Sequence, residues 1–142
     1  MFRLTLNCNI KNITITIKVN DESYFVFCTT PFGAEKNNKK TMKRLMEFVC
    51  RANFSMYMGC LEIDCDDGKI VFLNRITCEH YAPSAGTVRK NIYHSAISFI
   101  LYSVGIRNII IINDYSAKKA LKKCENPSDD IISVFKTLLS TD

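Results

Sequence analysis

Three patterns in this sequence predict an α+β fold, a five-stranded antiparallel sheet with helices packed on one face. Apolar residues alternate with other residues over 2–8 and 13–19, the period of a half-buried strand. Asp67-Gly68 lies between two further apolar runs and tolerates the positive φ that a type I′ hairpin turn requires. Two longer stretches, 36–52 and 84–104, instead repeat their apolar residues at helical spacing. At 142 residues, 47% apolar and 23% charged, the chain is large enough to bury a core and reads as a single domain over 1–142.

The elements follow in order. Phe2, Leu4, Leu6 and Cys8 mark the first strand. Ile13, Ile15, Ile17 and Val19 mark the second, with Thr14, Thr16 and Lys18 on its other face. Asn20 to Ser23 reads as a turn, and Tyr24 to Thr29 as a third strand that Pro31 and Gly33 stop. A helix over about Lys36 to Ala52 lays Met42, Leu45, Met46, Val49 and Cys50 on the sheet and turns Lys39, Lys43, Glu47 and Arg51 elsewhere. A two-residue Asp67-Gly68 loop then sets Cys65 opposite Ile70, Ile63 opposite Phe72 and Leu61 opposite Asn74, with Glu62 diagonal to Arg75. Ser84 is placed to cap a second helix that runs to Val104, with Gly105 at the left-handed position beyond its end. Periodicity does not decide between strand and buried helix over Ile109–Ile112, and β-branching favours an extended segment. Ser116 caps a short helix from Ala117 to Cys124, and Pro127 opens a last helix over 127–142.

No reaction is written in these residues. Seven cysteines, at 8, 28, 50, 60, 65, 78 and 124, contain no Cys-x-x-Cys pair, so they read as small apolar residues of a reducing compartment. Asp64, Asp66 and Asp67 lack the alternate spacing and late glutamate of a calcium loop. Cys78, Glu79 and His80 are adjacent and have no second ligand pair to complete a zinc site. Five scattered glycines make no phosphate-cradling loop. The expectation is therefore no catalytic residue, no metal and no cofactor. The longest apolar run, Ala96 to Val104, is far short of the roughly 20 residues of a membrane span, and the first residues lack the apolar core of a secretory signal. A cytoplasmic protein without a membrane span is expected.

The net charge of +5 comes largely from lysines on helix faces. Lys39, Lys40, Lys43 and Arg44 offer a nucleic-acid-binding alternative, weakened because no aromatic side chain interleaves with them. A second alternative is a small enzyme that pairs a cysteine with His80 or His94. The half-helix Ala96-Ile97-Ser98-Phe99-Ile100-Leu101-Tyr102 is apolar on nearly every side and needs cover on more than one, from the tail of the chain or from a second subunit. Ile97, Phe99, Ile100 and Tyr102 are accordingly the expected protein-interaction residues.

One resemblance adds to this reading. Ala52-Asn53 closing a helix, Gly59 ahead of Cys60-Leu61-Glu62-Ile63-Asp64, then Asp67-Gly68-Lys69-Ile70, resembles the bacterial YbjN-like family of sensory transduction regulators. Ile106 to Ile112 followed by Ser116-Ala117-Lys118-Lys119-Ala120-Leu121 looks like that family's closing segment, so the likeness covers about residues 2–125. It implies a type III secretion chaperone-like fold, a homodimer, and action by binding other proteins instead of catalysis. Family members begin with a helix before the first strand, whereas this chain opens directly in a strand.

Overall fold

The alternation in the first third of the chain becomes three consecutive strands in the computed structural model, which describes residues 1–6, 13–35, 37–78, 81–112, 115–127, 129, 132 and 133. They are β1 (Phe2–Leu6), β2 (Ile13–Val19) and β3 (Ser23–Gly33). The helix α1 (Lys39–Ser55) follows, then β4 (Cys60–Ile63) and β5 (Lys69–Thr77). The long helix α2 (Ala85–Arg107) continues into one π-helical turn, Asn108–Ile112, and α3 (Ala117–Glu125) completes the described elements. The five strands form one antiparallel sheet in the order β1-β2-β3-β5-β4, so β5 enters beside β3 and leaves β4 at the edge.

Side chains alternate across this sheet, and one face holds the core. Ile15 stands opposite Cys28, Val26 opposite Asn74, Cys28 opposite Phe72 and Ile63 opposite Ile70, and all but the half-buried Ile63 are buried. The helices cover that face: Phe99 of α2 meets Phe72 at 6.5 Å, and Tyr102 meets Phe48 of α1 edge-on at 6.4 Å. The other face, with Phe25, Phe27, Val71 and Leu73, has no helix on it among the described residues.

Short polar side chains start the helices. Asn38, Ser84 and Ser116 accept the backbone N–H groups of Thr41, Thr87 and Lys119 at 3.0, 3.1 and 3.2 Å, satisfying donors that have no partner inside the helix. The first of these moves the start of α1 from the expected Lys36 to Lys39. The Asn20 side chain accepts both backbone N–H groups of Glu22 and Ser23, which makes the expected turn into β3.

Several expectations are corrected. The hairpin loop is four residues, not two: Gly68 N–H donates to the Asp64 carbonyl, Asp64 N–H to Lys69, and Gly68 alone takes a positive φ of 68°. Leu61 therefore faces Phe72 and Ile63 faces Ile70, a shift of two residues that keeps every side chain on its expected face but takes Arg75 out of reach of Glu62. Asp64 and Asp67 fix this loop by accepting the N–H groups of Asp66 and Lys69. β3 runs past Pro31 to Gly33, because the register breaks between Thr29 and Gly33 and a bulge tolerates proline.

The buried stripe of α1 is Thr41, Leu45, Phe48, Val49 and Ala52, while Met46 and Cys50 face solvent. Gly105 does not end α2. It lies inside the helix, buried, where a Cβ would stand 2.5 Å from Cε2 of Phe48 and 2.8 Å from Sγ of Cys124, so its missing side chain is what lets α1 and α3 close on α2. Ile109–Ile112 is helical, not extended: it prolongs α2, and burial of Ile109 overrides the β preference of isoleucine. The expected last helix over 127–142 falls mostly outside the described residues.

Candidate functional site

The alternation of β2 outruns its roof. Ile13 and Ile15 are buried, Ile17 is half-buried and Val19 is 62% exposed, because the helices do not reach the end of the strand. Val19 pairs with Tyr24 at the start of β3, and Phe2 pairs with Ile17 at the open edge of the sheet. Across from them the chain leaves β5, with Cys78 N–H donating to the Glu22 carbonyl at 2.7 Å, and passes Tyr81, Ala82 and Pro83 to the first turns of α2, where Val88 points back. This open cleft has a volume of about 640 Å³, and apolar atoms dominate its lining. Phe2 and Tyr81, at 69% and 84% exposure, stand at its mouth, with Asp21 the charged residue of its lining.

A polar chain fixes the wall of this cleft. Asn91 Nδ2 donates to the Tyr24 hydroxyl at 2.8 Å, Ser95 Oγ donates to the Asn91 carbonyl at 2.8 Å, and Asn74 Nδ2 donates to Ser95 Oγ at 3.1 Å. Asn74 and Ser95 are buried, so these bonds satisfy groups that water does not reach. They tie α2 to β3 and β5 and hold Tyr24 where it forms the inner wall.

The expected site residues fall in several places. Phe99 and Ile100 are buried in the core, so their side chains offer no surface; Ile97 and Tyr102 are half-buried. Lys39, Lys40 and Lys43 are exposed on α1, and Arg44 is half-buried beside them. His94 is exposed on α2, and His80 and Glu79 lie outside the described residues. Cys65 and Cys78 sit beyond opposite ends of β5, a strand whose nine residues alone span roughly 26 Å at ~3.3 Å per step, so they do not converge. No group of three or more histidine, cysteine, aspartate or glutamate side chains suited to a metal occurs among the described residues.

The thiols that respond to their surroundings move away from reactivity. Burial pushes Cys28 and Cys124 up to about 12, and burial with the Glu62 carboxylate nearby pushes Cys60 up as well. Lys69 is raised at the hairpin tip by its hydrogen bond to Asp67 and by that carboxylate's charge.

No protein-family model, curated protein or solved structure matches the chain. One further property of α2 bears on function: Ala85–Ile112, 28 residues with the π turn included, is long and apolar enough to cross a membrane. This corrects the expectation of a run ending at Val104. Its inner side is packed in the core through Ala96, Phe99, Ile100 and Ile106, and the fold is compatible with a soluble protein.

The cleft was missed in the sequence because its lining comes from four separate segments. The available signal was Val19, an apolar residue that extends the β2 alternation to where the chain turns, and Tyr81, an aromatic residue in a connection.

Proposed function

We propose that this protein is a protein-binding, chaperone-like regulatory module that acts in the cytoplasm without catalysis. The apolar cleft between the end of β2 and the start of α2 carries this reading. It is large enough for two or three apolar side chains, it stays open because its wall is hydrogen-bonded from behind, and its mouth is apolar. A segment entering it buries apolar surface on both partners, and shape more than sequence then sets selectivity, as suits a chaperone. The outer edge of β1 lies beside the cleft, so an extended segment could also add main-chain hydrogen bonds there. The likeness to the YbjN-like family, with its type III secretion chaperone-like fold and homodimeric assembly, agrees with this assignment. In a homodimer, Ile97 and Tyr102 are the residues of the expected α2 surface that retain exposed area.

A set of short synthetic peptides graded in aliphatic and aromatic content tests the reading by fluorescence anisotropy. Affinity should rise with apolar content and drop at least about tenfold in Val19→Asp/Tyr81→Ser, where two exposed contacts of roughly 1 kcal/mol or more are lost. Both positions are exposed, so folding is retained. Affinity independent of apolar content, or unchanged in the double variant, would refute the proposal.

A further inference from the structure

α1 has two unlike faces. Thr41, Leu45, Phe48 and Ala52 face the core, and Lys43, Glu47, Cys50 and Phe54 repeat the same spacing two residues later, which at ~100° per residue puts them on the opposite side. That outward side is basic near its start, with Lys39, Lys40 and Lys43 exposed, and apolar near its end, with Met46, Cys50 and Phe54 exposed. Glu47, the one acidic residue of α1, is paired with Arg51 at 2.8 Å, so the charge of the three lysines is not offset along the helix.

The chain beyond the helix continues the apolar end. Phe54 is 95% exposed and Tyr57 99%, with Met58 beside them. This exposure is built in. The Asn53 side chain clamps the Leu61 backbone at both its N–H (2.8 Å) and its carbonyl (2.9 Å), and Met56 N–H closes the helix on Ala52. Gly59, at φ 69°, lies so close over the Phe72 ring that a Cβ would be 2.5 Å from Cζ. The loop is thus held over the core with its aromatic side chains turned away from it.

We propose that this face is an attachment surface for an anionic lipid bilayer. Lysines and aromatic residues on one side of a surface helix match such a bilayer in two ways: the ammonium groups meet the headgroup charge, and the rings enter the boundary between headgroups and acyl chains. The lysines lie about 17 to 23 Å from Phe54 along the axis, so the helix lies flat to use both. α1 packs over β4 at one edge of the sheet and the cleft lies towards the other, so the proposed attachment surface and the cleft share no residue.

Co-sedimentation with vesicles of phosphatidylcholine alone and of phosphatidylcholine with phosphatidylserine tests this, with circular dichroism confirming that each variant is folded. The full chain should bind only the phosphatidylserine vesicles, and less at high salt. Each surface lysine contributes about fivefold, so Lys39→Gln/Lys40→Gln/Lys43→Gln should weaken binding roughly a hundredfold. Phe54→Ser/Tyr57→Ser should weaken it at least about tenfold through the lost ring insertion. Absence of binding at low salt, or binding that ignores the Phe54→Ser/Tyr57→Ser change, overturns the proposal. So does a single-stranded oligonucleotide held more tightly than vesicles by the same lysines, which would assign the face to nucleic acid, or a dimer that the same substitutions dissociate.

Discussion

Replacing Gly105 by alanine separates two accounts of this residue. At the end of a helix, the substitution would cost only the strain of a left-handed backbone and would ignore the residues on α1. In the interior of α2, a new Cβ meets Cε2 and Cζ of Phe48 at 2.5 and 2.7 Å and Sγ of Cys124 at 2.8 Å, all belonging to buried side chains. Overpacking of this kind costs about 2 kcal/mol. Alanine returns about 1 kcal/mol of helix propensity relative to glycine, so the net loss should be about 1 kcal/mol. Urea unfolding followed by circular dichroism measures it, and the melting temperature should fall by about 3–5 °C for a chain of this size. The diagnostic is the background. Phe48→Leu removes the ring atoms that clash and leaves the Cys124 sulfur as the close contact, so Gly105→Ala added to it should cost clearly less than it does alone, a coupling approaching about 1 kcal/mol where independent sites add to within ~0.5. Equal losses with and without Phe48→Leu would refute the packing of α2 described here.

Two further outcomes are expected. Ser95→Ala leaves the buried Asn74 amide without the hydroxyl it donates to and should destabilise the fold by about 1–3 kcal/mol in urea titrations, whereas the Ser98→Ala control, half-buried on the same helix, should stay within ~0.5. Cys28 and Cys124 are raised to about 12 by burial. The native state thus keeps protons that the unfolded chain releases from about pH 9, so this stability is intact below that pH and declines toward pH 12 by up to about 1.4 kcal/mol per unit for each thiol. Urea midpoints that stay flat through this window would contradict the burial of both thiols.

What could be read in the sequence depended on whether a local rule acted alone. The strand Ile13–Val19 and the caps Ser84 and Ser116 were legible because alternation and capping are local properties. The hairpin was legible as a hairpin and in its faces, but not in its register, since carboxylates at Asp64 and Asp67 favour a longer loop than Asp-Gly by itself suggests. α1 carries two overlapping periodicities, and only the tertiary fold selects Phe48 and Ala52 over Met46 and Cys50 for the core. Ile109–Ile112 was open between strand and helix in the sequence, and the lean of β-branching toward an extended segment is a weak preference beside continued packing of α2. Phe99 and Ile100 were recognised as residues that must be covered, but not that the sheet itself covers them. The cleft escaped notice because it exists only where an exposed strand end, an edge strand and a helix start meet.

The central claim is that a partner segment enters the cleft at the end of β2. Amide chemical-shift mapping of isotope-labelled protein, titrated with the most apolar peptide of the graded set, tests it most directly. The account predicts shifts concentrated at Ile17, Val19, Tyr24, Cys78, Tyr81 and Val88, while residues of α3 stay unmoved. Shifts confined to α3 or to the outer sheet face around Phe25 and Phe27, or none at saturating peptide, would contradict it.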